Sequence, residues 1–149
     1  MATNDTKLID RYSEIIRAVV DGINDQDLTG FEDYFADDLE TEIPYGWSGD
    51  YATGYDQFEA MLEDYFTAFP DFAIEAQSFT ASGDWTFTWL TFAGTHEGNF
   101  WGFEPTGESF ATSGFWINRF EDETIVESFG WFDLFDLLTQ LGYEFSFDD

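Results

Sequence analysis

The sequence predicts an α+β domain, helices first and an antiparallel sheet after them, and two observations carry that prediction. Up to Ala68 the apolar residues recur at the three- and four-residue spacing of amphipathic helices. Beyond Asp71 the period changes to segments rich in aromatic and β-branched residues, separated by short polar connections. That order implies helices packed on one face of a curved sheet. The 149 residues fit one domain spanning 1–149, because chains run about 100–200 residues per domain. No internal repeat is visible.

From Asn4 to about Ile23, the residues Leu8, Ile9, Tyr12, Ile15, Ile16, Val19, Val20 and Ile23 form one helical face. Asn24-Asp25-Gln26-Asp27 breaks it, and Leu28, Phe31, Tyr34, Phe35 and Leu39 predict a second, shorter helix. Ile43 to Gly54, with Pro44, Gly46 and Gly49, reads as loop. A third helix fits Tyr55 to Ala68 and should stop before Phe69-Pro70, since the residue before proline is pushed out of helical space. Strands follow at about 71–81, 84–96, 108–120 and 124–132, with Ser82-Gly83-Asp84 and Glu121-Asp122-Glu123 as hairpin connections. A last helix near 133–141 ends at Gly142, a good residue just past a helix.

Composition bounds the function. There are 32 Asp+Glu against 4 Lys+Arg, a formal charge of −28, and no cysteine. The charge excludes nucleic-acid binding through a basic surface. The missing thiols exclude disulfides, Cys-ligated zinc and thiol catalysis. The sole histidine, His96, excludes sites that need two. The 19 Phe, 6 Trp and 7 Tyr supply a core rather than an acidic tail. Acids are spread along the chain, so mutual repulsion should weaken the fold at low ionic strength and be screened in concentrated salt. This is the composition of a protein built for a salt-rich cytoplasm. A docking surface for a basic partner or a nucleic-acid mimic would instead gather the charge. No apolar run approaches the ~20 residues of a membrane span, and Met1 to Asp10 carries no export signal. A cytoplasmic protein without membrane contact is expected.

Several words of the second half stand in a telling order: Ala68-Phe-Pro-Asp71, Gly83-Asp84, Gly94-Thr-His96-Glu-Gly98, Pro105-Thr-Gly107, Ile125-Val-Glu127, Asp133 and Gln140-Leu-Gly142. In this set the chain resembles the SnoaL-like polyketide cyclase family of the NTF2-like superfamily. The resemblance implies a cone-shaped α+β barrel with a packed closed end and a mostly apolar pocket at the open end. It also implies ring closure by intramolecular aldol condensation, or a related lyase or isomerase reaction, on a small apolar carbonyl compound without metal or cofactor. Packing of the curved sheet against that of another copy, as a dimer or tetramer, is a further implication.

Such chemistry needs a base for a carbon-bound proton, a donor for the enolate and a dry pocket. His96 is the first candidate, supported by the family's pocket histidine in the Gly-Thr-His word; the plain alternative is a strand-end histidine bonded to a loop. Asp133 matches an aspartate after the last strand, but Asp is also a preferred helix N-cap. Glu127 is the third. If Asp122-Glu123 is a two-residue turn, Asn118 pairs with Glu127, Trp116 with Phe129 and Gly114 with Trp131. Glu127 then shares an apolar face with Trp116, Phe129 and Trp131; the alternative is a surface pair with Arg119. For ligand walls the candidates are Tyr12, Trp89, Trp101, Phe103, Trp116 and Trp131, each of which also suits plain core.

The family's acid/base aspartate lies on the strand after the Gly-Thr-His word. Here Ser109 to Phe120 holds no Asp or Glu, and Phe110 or Thr112 stands at that place. The position two before the histidine, often an amide in the cyclases, is Gly94. This departure raises the alternative of a non-catalytic module that binds a hydrophobic small molecule or a partner. No phosphate loop, nucleophile elbow, His-Glu-x-x-His pair or EF-hand spacing is present.

Overall fold

A computed structural model describes residues 4–43 and 52–147. Pro44, Gly46 and Gly49 of the expected loop lie outside the described residues. Helix α1 (Asn4–Asp25) is followed by a 3₁₀ turn (Phe31–Asp33) and strand β1 (Phe35–Glu42). Then come helix α2 (Gly54–Ala68), strands β2 (Ala73–Ser82), β3 (Trp85–Thr95), β4 (Ser109–Glu121) and β5 (Thr124–Phe132), and helix α3 (Leu134–Gln140). The sheet order is β1-β5-β4-β3-β2. The neighbours from β2 to β5 are antiparallel, and β1 runs parallel to β5. The three helices and the curved, unclosed sheet make the expected α+β cone. No helix among the described residues is long and apolar enough to cross a membrane.

The second expected helix is corrected to a 3₁₀ turn and a strand. Phe31, Phe35 and Leu39 are spaced as a helix requires, but Phe35, Leu39 and Thr41 point inward in extended chain, where β5 supplies the hydrogen bonds. A short apolar pattern cannot by itself tell strand from helix. The outward residues of this edge strand include Asp38, Glu40 and Glu42, which discourage another strand from pairing there.

The β4–β5 register is also corrected. Asp122 and Glu123 do form a two-residue turn, both with positive φ (46° and 64°), between Glu121 and Thr124. But Phe120 faces Ile125 while Arg119 faces Glu127, so Val126 is an extra residue in β5, a bulge. Asn118 consequently faces Ser128, Trp116 faces Gly130 and Gly114 faces Phe132.

Strict alternation along β4 gives the sheet two faces. Phe110, Thr112, Trp116, Asn118 and Phe120 are buried against the helices, while Phe115 is exposed on the other side. Tyr12 on α1 stacks on Phe120, with centroids 4.0 Å apart, and donates to Asp84 Oδ1 at 3.1 Å. These contacts close the narrow end of the cone.

Candidate functional site

The inner face of the sheet and helix α2 enclose a cavity of about 60 Å³. Its wall includes Phe58, Met61, Leu62, Tyr65, Leu90, Phe92, Trp116 and Phe132. That volume is well below the ~150 Å³ void that accommodates benzene in an engineered core. Toward the open end it is stopped by rings: Phe69 lies 5.0 Å from Phe100 and 4.9 Å from Phe110, and Tyr65 meets Phe132 edge-on at 6.3 Å. Burial raises the Tyr65 hydroxyl far above its usual pKa, so this cavity residue is a neutral phenol.

The three carboxylate or imidazole candidates stand in three separate places, and none lines this cavity. His96 is fully buried just past β3, its ring 5.7 Å from that of Phe69. The Thr106 N–H points to Nδ1 at 3.3 Å, which occupies the ring's basic lone pair and leaves the proton on Nε2. Backbone bonds tie the same residue to the loop: His96 N–H donates to Glu108 O, and Gly107 N–H to His96 O, both at 2.9 Å. Burial lowers the imidazole pKa from its usual 6.5, against the opposing effect of the Phe103 and Gly98 backbone. The unfolded chain therefore binds this proton first. Its contribution to stability is whole above the unfolded value of 6.5 and is lost as pH falls from there toward the folded value. Urea titrations between about pH 7.5 and 5 in molar KCl are expected to show wild type losing stability relative to His96→Asn as pH falls. Parallel curves would refute this.

Asp133 caps α3: its Oδ1 accepts from the Asp136 N–H at 2.9 Å. Glu127 faces outward beside Arg119 and forms an ion pair with it. The expected shared face with Trp116 is therefore corrected, and the bulge at Val126 is the cause.

Of the aromatic candidates, Trp116 lines the cavity, and its Nε1 donates to Ser128 Oγ at 2.7 Å. Trp131 contributes to the cavity wall yet is 48 % exposed. Trp89, at 56 % exposed, lies on the outer face, where Trp89, Phe115, Trp131 and Asp133 border an open groove of about 590 Å³. Tyr12 is core at the closed end. Trp101 stacks on Phe100 at 4.4 Å, and Phe103 packs on Tyr143 at 4.7 Å. Both belong to the loop after His96 and neither borders the cavity.

The two departures from the family pattern have visible substitutes. A side chain at Gly94 would put its Cβ 2.9 Å from the Phe69 Cβ and 3.2 Å from the Phe110 ring, so those rings occupy the room of the missing amide. Of the two residues that stand where the aspartate was expected, Phe110 packs on Phe69, and Thr112 donates to Asp136 Oδ2 on α3 at 2.8 Å. Gln140 donates to the same oxygen at 2.9 Å and exchanges two hydrogen bonds with the backbone of Ala111. The Asp136 carboxylate beside Thr112 is thus engaged in docking α3 on the sheet.

Sequence reasoning missed one set of polar side chains. On four strands the inward residue at the cavity is apolar or glycine, and the inward residue two positions toward the closed end is polar. The pairs are Ile43 and Thr41, Gly130 and Ser128, Trp116 and Asn118, Leu90 and Thr88. Thr41, Ser128, Asn118 and Thr86 are cross-strand partners in one row. Among the described residues nothing hydrogen-bonds Oγ1 of Thr41, Thr86 or Thr88, or either side-chain atom of Asn118. Each such buried group costs ~1–3 kcal/mol if left unsatisfied. The signal in the sequence is polar residues at inward positions of otherwise apolar alternation.

Comparison with known proteins agrees with this architecture. The family model described as SnoaL-like polyketide cyclase matches residues 13–141. No curated protein matches the chain by sequence. Among solved structures, AclR of Streptomyces galilaeus, a candidate hydroxylase, is 25 % identical with a TM-score of 0.77, over 90 % of this chain and 86 % of that one. Wild-type IdmH of Streptomyces antibioticus, a candidate polyketide cyclase, is 26 % identical with a TM-score of 0.76, over 89 % and 99 %. A SnoaL-like cyclase candidate from Jannaschia sp. CCS1 shares the fold at 17 % identity, with a TM-score of 0.78 over 91 % and 94 %. With the family model spanning all of the sheet, most of α1 and the whole of α3, this chain belongs to the SnoaL-like polyketide cyclase family.

Proposed function

We propose that this chain takes up a small, flat, apolar carbonyl compound inside the cone and holds it by shape and aromatic contact. The observation behind this reading is the cavity wall, which carries apolar side chains, the Tyr65 phenol and the Trp116 indole, and neither a carboxylate nor an imidazole. Confinement by itself assists a ring closure when it holds two reacting carbons together, so binding of this kind suits a family of cyclases. Because the cavity as it stands is smaller than a benzene-sized void, a guest must part Phe92 and Phe132, both half-buried on the wall, and widen it on entry. Native mass spectrometry of protein purified in high salt is expected to retain a neutral small molecule. Protein that emerges empty and binds no member of a panel of aromatic ketones overturns the reading.

A second reading, favoured by the family match over 13–141, is acid–base ring closure or a related lyase or isomerase reaction using His96, Asp133 and Glu127. On a confirmed substrate, His96→Ala and Asp133→Asn would then each cost ~10²–10⁴ in turnover. Full turnover in both variants removes it. No metal or cofactor enters either reading.

The outer face suits self-association as a dimer or tetramer. Trp89, Phe115 and Trp131 are register neighbours across three strands and 48–56 % exposed, an aromatic ladder without charge on a strongly anionic protein. In molar KCl, Trp89→Glu is expected to sediment as a monomer while wild type does not. Identical sedimentation rules this face out.

A further inference from the structure

The belt of inward polar side chains below the cavity is used neither by the packing of the fold nor by the proposed function. Thr41 faces Ser128, Ser128 faces Asn118, and Asn118 faces Thr86, with Thr88 one inward position nearer the cavity. Thr41 is 7 % exposed and the other four are 0–1 % exposed. One member is engaged: the Trp116 indole, between cavity and belt, donates to Ser128 Oγ at 2.7 Å. The other hydroxyls and the Asn118 amide hydrogen-bond no described residue. Buried polar groups without protein partners are characteristically satisfied by ordered water, which makes about three hydrogen bonds to them.

We infer that this belt is a binding site for neutral hydrogen-bonding oxygen: ordered water in the free protein, and the hydroxyl or carbonyl end of a guest that fills the cavity. The guest arm rests on the proposed function; the water arm does not. The chemistry of the donors sets the class. Asn118 offers two donors and an acceptor oxygen, and each threonine hydroxyl rotates to donate or accept. The belt side chains include no base and no carboxylate; Arg17 and Asp21 share an open pocket with Thr88, but neither lines the cavity through which a guest would come. A charged head would enter a fully buried site without a counter-ion, which is prohibitive. A neutral oxygen, by contrast, finds both donors and acceptors, and its apolar body remains against Leu90 and Trp116, which line the cavity one row above.

The test uses whole nitrogen-15-labelled protein in molar KCl, with the Asn118 side-chain amide as reporter and phenol, benzene and benzoate as probes. In the free protein the amide protons are expected to show cross-peaks to long-lived water. Phenol should displace that signal and bind about tenfold more tightly than benzene, the worth of one hydrogen bond, while benzoate does not bind. Asn118→Leu should abolish the phenol advantage and leave benzene affinity unchanged. Should that variant fail to fold, Thr88→Val is read in the same way with the amide intact. Long-lived water with phenol and benzene bound equally supports the belt as a water site and removes the guest arm. Long-lived water with no probe bound defeats the cavity reading and leaves the belt standing. No long-lived water together with no phenol advantage overturns the inference.

Discussion

Gly98→Ala is expected to destabilise the protein by about 3 kcal/mol or more, at the upper end for an overpacked site. A Cβ at Gly98 would lie 2.2 Å from the Thr67 carbonyl oxygen, 3.0 Å from its carbon and 3.2 Å from the Ala68 Cα. All three are backbone atoms of the last turn of α2, so no side chain can swing aside. Nor can the loop withdraw cheaply. The N–H groups of Glu97 and Gly98 both donate to the Ala68 carbonyl, at 3.0 and 3.1 Å, and satisfy a helix end that has no partner within the helix. Retreat would also pull on His96, two residues away and fully buried. Gly102→Ala is the control: its φ is +89° but nothing lies within 4 Å of the added methyl, so only backbone strain of ~1–2 kcal/mol applies. Urea unfolding in molar KCl compares the two. If Gly98→Ala unfolds at the same urea concentration as Gly102→Ala, the clamp is not what holds the loop to α2.

This joint also explains what the sequence revealed and what it hid. The family words are mostly fasteners. Asp71 accepts from Thr95 N–H at 2.6 Å and from its hydroxyl at 2.7 Å, which ties the Phe-Pro-Asp word to the Gly-Thr-His word. Those bonds hold the Asp71 carboxyl below its usual range although burial works against them. Thr106 fastens to His96, Gln140 to Ala111, and Asp133 caps α3. Words that join distant segments specify a fold, so the four strands from 71 to 132 and helices α1, α2 and α3 were legible within a few residues. Strand β1 was not, because its hydrogen-bonding partner β5 lies far along the chain and its apolar spacing suits a helix equally well. The site was harder still. Whether Glu127 faces in or out turns on a single extra residue, Val126, and no local signal marks that bulge. The polar belt was visible only as Thr86, Thr88, Asn118 and Ser128 interrupting apolar strands, and strand register was needed to bring them into line.

Raising KCl from ~0.01 M to ~1 M is expected to lift the unfolding temperature by roughly 10 °C or more. The Debye length falls from ~30 Å to ~3 Å over that range, and a domain of this size gains ~2–4 °C per kcal/mol. The structure supplies the reason that so acidic a chain should respond. No described Asp or Glu is buried. Glu14, Glu121, Glu123 and Glu127 form ion pairs with Arg11 or Arg119, and 4 Lys+Arg cannot neutralise 32 Asp+Glu. The described share of the acidic charge is therefore carried on the surface, where dissolved cations screen it. Salt also strengthens apolar burial, so a second variant must separate the two effects. Glu32, Asp33, Asp37 and Asp38 are close together in sequence, belong to none of those ion pairs, and are all exposed on the turn and edge strand. Converting all four to amides removes four charges and leaves the core untouched. If repulsion is the cause, this variant is more stable than wild type at ~0.01 M KCl, and the difference closes as salt rises. If salt acts through burial alone, the two thermal curves move together at every concentration, and the surface charge has no part in the stability of the cone.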